Sequence, residues 1–577
     1  MINNIQKSGR KIKRRLSRFS RRASEEGKEH LRENLVDRIS HVRDVRLLVL
    51  EWVLLVLVVI LLSATQALWY SNSYSISSFK KGGTYTEATL GKVNSLNPLF
   101  ASTNSEKVLS KLLFASLAEN DYSDHPGASL ASTINSDDEG KNWTVRLRDG
   151  LKWSDGEPLT NEDVFFTIGL IKNPKISTAY ASSLIGASVT EDENGNIVFS
   201  LASPYVDFRS ALDFPILPKH VLKDISPSLL LESDFSQTPV SSGPFMFNAT
   251  QPIGVNGEAV VYLSSNPNFY RGEPMLKSFA VHAFLDKKAI ISAINSGTVT
   301  ATAELSSKDG ESLRTDKFYE RHKAINSGVF AFLNTSSSLL SNKTLRQAIQ
   351  QGINTETLRE IAKTDSKLEY PFLESQVNLN GQSQIPEYNL DAAKAAVSEL
   401  GLESPFVSIA TINENELPEV AENFASQLRE LGLNAEVSVY EPSQDFVLNV
   451  VGARAYDILI YDVELGTSPD IFSYYHSSQA NSSGLNFSNY KNSIVDDLIL
   501  ATRSTSDETL KNAKYNSFAR YWVADVPSIA LYQSNLVYFY NKNVRAFSED
   551  LKITTPIDIF TEVEYWAVEK TSLNRTP

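Results

Sequence analysis

One stretch gathers the side chains best suited to meeting a ligand. Tyr456–Tyr475 reads YDILIYDVELGTSPDIFSYY and holds the carboxylates Asp462 and Glu464 among Tyr456, Tyr461, Phe472, Tyr474 and Tyr475. Aromatic walls suit peptides or sugars. Strand alternation sends Asp462 and Glu464 to one face and Leu465 to the other.

Covalent chemistry has no comparable support. The chain lacks G-x-S-x-G, G-x-x-x-x-G-K-[ST] and G-x-G-x-x-G. Its seven histidines, His30, His41, His125, His220, His282, His322 and His476, show no metal-ligand spacing. It has no cysteine, which excludes a disulfide scaffold, a thiol nucleophile, a Cys-based metal site and a lipidated N-terminal cysteine. The expectation is a protein that is not an enzyme, with no cofactor and no metal.

The elements that must position such a site need room. A chain of 577 residues exceeds what one hydrophobic core usually sustains, so two or three lobes are expected. Charge is unevenly placed. Residues 1–46 hold 14 Lys/Arg and 6 Asp/Glu, net +8; the whole chain is −13, leaving −21 for residues 47–577. An acidic body argues against nucleic acid, whose phosphates need a basic footprint.

The basic tail, densest over Lys7–Arg22, precedes a mixed-charge helical stretch, Ser24–Arg46, and then the Leu/Val-rich run Leu47–Leu62. Val45–Trp69 is about long enough to cross a hydrocarbon core of ~30 Å. Glu51 near one end can snorkel to water, and Trp69-Tyr70 suit the far interface. The preceding positive charge predicts the N-terminus inside. Ser63–Ala67 offers no clean A-x-A site, so an uncleaved signal anchor is expected, with Ser71–Ser78 as a short flexible tether.

Trp143–Ile171, WTVRLRDGLKWSDGEPLTNEDVFFTIGLI, is the clearest scaffold signal. Trp143, Val145 and Leu147 alternate with polar residues as in a half-buried strand, Asp149-Gly150 makes a turn, and Leu151 and Trp153 continue into a second short strand. Thr160 predicts a helix N-cap, with Val164, Phe165, Ile168 and Ile171 on the apolar face and Asn173-Pro174 as the stop.

This string resembles the signature of the family 5 extracellular solute-binding proteins, the oligopeptide/dipeptide/nickel-binding group serving ABC importers. The resemblance extends from about Gly82 to Lys570. It includes Ser95–Leu99, Phe114–Leu117, Pro204–Leu212, Ile216–His220, Ser241–Phe245, Asn266–Pro274 and Leu345–Ile353. Near Ser296–Thr300 the family's acid is absent. In the family, an Asp four residues before a Pro holds a peptide's α-ammonium. Pro469 and Phe472 match, but that Asp position is Leu465, which makes Glu464 the nearest acid and Asp462 the reserve.

The resemblance implies an α/β, two-lobed periplasmic-binding-protein-like fold (type II, three-domain) with a hinge, preceded by one N-terminal transmembrane helix. The expected organisation is a basic cytoplasmic tail at 1–46, a signal anchor at 47–70 and a linker at 71–79. Lobe I would take 80–112, 200–296 and 526–577, a small domain 113–199, and lobe II 297–525. Ligand-lining residues are expected to be Ser102, Thr103, Asn104, Tyr461, Asp462, Glu464, Leu465 and Tyr475. The implied partners are a peptide or other small solute, ABC permease and ATPase subunits, and the membrane. The body would lie outside a single-pass anchor. A ligand sensor, or a chaperone or adhesin module without transport, is the alternative.

Overall fold

The computed structural model describes residues 46–574, apart from 80, 120–128, 138–139, 182–183, 185, 254–256, 315–316, 380–383, 404, 444, 549–550, 552 and 569. The basic tail expected at 1–46 lies outside these residues except for Arg46. The chain divides into two compact units, 79–569 and the two ends, 1–78 with 570–577.

The unit of the two ends holds helix α1 (Arg46–Tyr74) and strand β1 (Ser75–Phe79), which pairs with the C-terminal strand β16 (Lys570–Asn574). The expected flexible tether at 71–79 is corrected: the helix continues to Tyr74 and the next residues join a ladder. Leu50–Leu62 of α1 present their apolar side chains outward. The side chains described in this helix run only from Leu50 to Gln66, and among the described residues no helix is long and apolar enough to cross a membrane.

The large unit is built on one ten-stranded sheet, ordered β13-β12-β14-β11-β15-β10-β2-β9-β8-β7, with a separate four-stranded sheet β3-β4-β6-β5. In chain order, β2 (Thr84–Leu90) and α2 (Asn104–Leu113) come first. The small sheet follows as β3 (Ala131–Ser136), β4 (Asn142–Leu147), α3 (Asn161–Ile171), β5 (Ala187–Glu191) and β6 (Ile197–Leu201). Strands β7 (Phe245–Ile253), β8 (Glu258–Ser265) and β9 (Ser278–Phe284) make one edge. Helix α4 (Lys287–Ser296), β10 (Ala301–Thr302) and β11 (Phe318–Leu333) lead into the second half. That half holds α5 (Lys343–Gly352), α6 (Thr355–Ile361), α7 (Leu390–Glu399), β12 (Phe406–Ile412), α8 (Leu417–Glu430), β13 (Asn434–Tyr440) and β14 (Ile458–Glu464). Helices α9 (Ser493–Arg503) and α10 (Glu508–Asp525) precede the long return β15 (Ser528–Asn541).

Two large cores flank the middle of this sheet. One, the first lobe, gathers Leu109, Trp153, Phe208, Phe279 and Trp566; the other, the second lobe, gathers Phe332, Ile349, Phe424, Ile460 and Trp522. The antiparallel strands β11 and β15 run through both. Ile325, Leu536 and Tyr538 belong to the first core, whereas Val329 to Leu333 and Ile529 to Tyr532 belong to the second. Pairing is regular from Phe318↔Asn541 to Ala324↔Asn535, is interrupted, and resumes at Gly328↔Gln533. A bulge of this kind bends a ladder and increases its local twist where the two cores change over.

The lobe boundaries therefore move. Residues 297–325, expected in lobe II, sit on the first side: Val299, Leu305 and Leu313 pack with Ala88, Phe284 and Ile290. Residues 526–532, expected in lobe I, supply the second core. The small-sheet segment shares its core with the first lobe.

The scaffold stretch folds around one buried acid. The Asp163 carboxylate accepts the Thr160 N–H (2.9 Å) and the Lys219 N–H (2.8 Å), with the Trp153 indole N–H at 3.4 Å. Trp153 itself is 0% exposed. The short second strand is only an isolated bridge, Lys152↔Pro158, because Ser154–Gly156 turns the chain at once. Gly243 shows why a glycine precedes Pro244: a Cβ there would lie 2.6 Å from the Leu113 carbonyl carbon. Nearby, Glu87 of β2 is fully enclosed; the Tyr538 hydroxyl donates to it at 2.8 Å and also bonds the Tyr85 hydroxyl. Burial pushes Glu87 up to about 8, against the opposing hydrogen bonds from Tyr538 and Tyr85.

Two predictions follow from this packing. Trp153→Ala should destabilise the body by roughly 3–5 kcal/mol in denaturant melts, leaving ligand affinity nearly unchanged. For Glu87, the folded pKa exceeds the unfolded one, so its stabilising effect is fully present below about pH 4.5 and is lost as pH rises toward about 8. Glu87→Gln should flatten the pH dependence of the melting temperature across that window and raise it at pH 8–9; an unchanged slope would refute the burial argument.

Candidate functional site

Glu464 ends β14 on the second-lobe side, with residues of the first lobe within electrostatic reach of it. β14 pairs with β11 from Ser327↔Glu464 to Leu333↔Ile458, which leaves its last residues at the bulge where the cores change. The alternation expected from the sequence holds there. Leu465 is buried and lies beside Leu368 near Gly328, while Glu464 stays open to water. Among the described residues no side chain donates a hydrogen bond to the Glu464 carboxylate. Although the side chain keeps contact with water, desolvation by the protein around it raises its pKa, and Asp558 adds to this, with Lys107 opposing.

Those neighbours belong to segments that pack in the first core. Asp558, Asp213 and Lys107 lie within electrostatic reach of Glu464, as does Tyr180. Lys111 of α2 sits beside Glu119 (3.4 Å), and Asp213 and Asp558 also act on it. Burial would lower the Lys111 pKa, but these carboxylates outweigh it and the ammonium stays charged. Asp558 is raised by burial, with Lys111 opposing. On the same side as Glu464, burial raises Glu414 and pushes Tyr461 up to about 12. Acids thus outnumber bases, an arrangement that favours a cationic group over an anionic one.

The other expected ligand residues divide by what they touch. Asp462 is committed: its carboxylate accepts the hydroxyls of Ser327 (2.5 Å) and Ser534 (2.9 Å), one from each crossing strand. It ties the hinge rather than standing free as a reserve acid. Ser102 donates its hydroxyl and its N–H to Glu106, and Thr103 caps α2 through the Glu106 N–H. Asn104 donates to Glu304 (3.0 Å), which burial pushes up to about 7. Tyr461 is half-buried against Phe446 and Phe487. Tyr475 is corrected: it is 1% exposed and its hydroxyl meets Ser528 (2.8 Å) inside the second core. Leu465 is corrected likewise, because the strand's pleat turns it inward. Its neighbour Tyr474 instead bonds the Glu464 carbonyl through its hydroxyl (3.1 Å).

The sequence reading missed Asp213, Asp558, Lys107, Lys111 and Tyr180. They come from four separate segments, and no local pattern relates them. A cavity of about 1000 Å³ lies elsewhere, lined by Leu368, Tyr370, Phe372, Leu373, Val377 and Gln533, on the Leu465 side of β14. Among the described residues no group of His, Asp and Glu could hold a metal ion.

Comparison with known proteins bears on this site. The family model for bacterial extracellular solute-binding proteins, family 5 (middle region) matches residues 125–484. The chain is 26% identical to the oligopeptide-binding protein AppA of Bacillus subtilis (strain 168) over 514 residues, which covers 83% of this chain and 92% of that protein. The structure of AppA from Bacillus subtilis in complex with a nonapeptide matches with a TM-score of 0.72 at 22% identity, over 85% of this chain and all of that one. NikZ from Campylobacter jejuni in complex with Ni(L-His) matches with a TM-score of 0.71 at 21% identity, over 84% and 99% of the two chains. These structural matches show the fold, and the family match covers more than half the chain. The protein is a binding protein rather than an enzyme, and it belongs to family 5 of the bacterial extracellular solute-binding proteins.

Proposed function

We propose that this protein captures a peptide in the cleft between its lobes and delivers it to the permease of an ABC importer, anchored to the membrane through α1. The observation that carries the reading is the Glu464 carboxylate, which faces the opposing lobe with no described hydrogen-bond donor of its own. An α-ammonium entering the closing cleft would supply that partner. The sequence relative AppA, named for oligopeptide binding, supports a peptide as the solute. The NikZ complex illustrates that the same fold also serves a different solute, so the peptide assignment rests on Glu464 and not on the fold. The outward-facing Leu50–Leu62 row and the basic residues ahead of it support the anchor, with the body outside.

Glu464→Gln keeps the shape and removes the charge. Losing a buried charge partner costs ~2–5 kcal/mol, on the order of thirty-fold to several-thousand-fold in affinity. Calorimetry with a free nonapeptide mixture and its N-acetylated counterpart should show wild type favouring the free form and the variant losing that preference. Equal affinity of wild type and variant for the free form would sink the assignment. The anchor has its own test, made clean by the absence of native cysteine. Ser73→Cys should react with an impermeant thiol reagent in whole cells, whereas labelling at Ser8→Cys instead would invert the topology.

A further inference from the structure

The lobes meet a second time, away from the hinge. Tyr205, Val206 and Asp207 lie just ahead of Phe208, which is buried in the first core. They reach the loop that follows β14 and the helices α9 and α10 behind it. Asp207 Oδ2 accepts from Lys511 Nζ (2.8 Å) and from Ser468 Oγ (2.6 Å). The Val206 N–H donates to the Arg503 carbonyl (2.9 Å). The Arg503 guanidinium lies between two rings, 3.9 Å from the Tyr205 centroid and 4.4 Å from that of Phe472, with Asp470 at 3.4 Å. Lys511 is only 6% exposed.

Three features set this contact apart from an ordinary surface ion pair. It crosses between the two cores, whose continuous backbone connection runs through β11 and β15. It combines a nearly buried ammonium, a shared carboxylate and a stacked guanidinium, each costly to leave unpaired once dehydrated. And on the second-lobe side it holds Ser468 and Asp470, in the loop that starts directly after Glu464, and Phe472, which opens the short helix that follows.

We propose that Tyr205–Asp207 and the Ser468/Phe472/Arg503/Lys511 group form a closure clasp that sets the lifetime of the closed, loaded form. Rotation about the β11/β15 bulge separates the two groups, exposing Lys511 and Arg503 to water and freeing the loop beside Glu464. Closure brings them together and fixes that loop against the ligand. Asp207, Lys511 and Arg503 are positioning residues: they act on the ligand through the loop. This rests on the reading that the lobes open to admit a solute.

The test uses the full-length chain with spin labels at Ser188→Cys and Ser482→Cys, one exposed site on each side. Dipolar distance distributions are recorded for wild type, Asp207→Asn, Lys511→Met and the conservative Lys511→Arg, each without additive and with a nonapeptide mixture. Asp207→Asn and Lys511→Met should shift toward longer distances and release fluorescent nonapeptide about tenfold faster, with association rates little changed. Lys511→Arg should keep the wild-type distribution and release rate, which separates loss of the ion pair from general damage at that site. Distributions and release rates identical in all four proteins would overturn the clasp. If peptide changes no distribution while Asp207→Asn and Lys511→Met still open at rest, the clasp stands and the peptide reading falls.

Discussion

The structure depends on two strands that belong to both halves at once. β11 and β15 pair over most of their length, yet their side chains enter one core at one end and another core at the other. A hydrogen-bonded ladder resists stretching and shear but bends where its register is interrupted. That interruption falls between Ala324 and Gly328, opposite Gln533 to Asn535. Each core can therefore pack tightly on its own side of the interruption.

The polar groups near this interruption follow from the same constraint. Carboxylates close to a crossing of strands must be satisfied or stay wet. Asp462 is satisfied by the hydroxyls of Ser327 and Ser534, and so cross-links the two strands where the ladder is weakest. Glu464, two residues further and on the same face, lies past the end of that network and stays open to water. Two acids that look equivalent in the chain thus differ: Asp462 is hydrogen-bonded by both crossing strands, whereas Glu464 has no described side-chain donor.

The charges around Glu464 are predominantly acidic. Glu464, Asp213 and Asp558 lie within electrostatic reach of one another, with Lys107 and Lys111 among them, and Glu464 and Asp558 are both raised chiefly by burial.

How much of this was legible in the chain depends on the range of the interaction. Local rules located β4, α3 and Thr160 as the position just ahead of that helix, since turn residues, alternation and capping act within a few positions; the Asp163 carboxylate that closes this end was not read. The face of β14 was legible for the same reason, because the pleat has period two, and family resemblance in Trp143–Ile171 and Ser241–Phe245 identified the fold. What the sequence alone misjudged was set by distant partners. Tyr475 looked like a cleft aromatic until Ser528 and Trp522 took it into the core. Ser71–Ser78 looked like a tether until β16, some five hundred residues later, offered it a ladder. The lobe boundary shifted because a strand's core is chosen by what packs on it rather than by its own residues. By itself, the sequence determined the local elements, the family and the acid that faces outward at Glu464. Tertiary structure decided which acids face it, which are already bound, and where the two halves touch, because burial and charge pairing depend on distances between segments that no local pattern encodes.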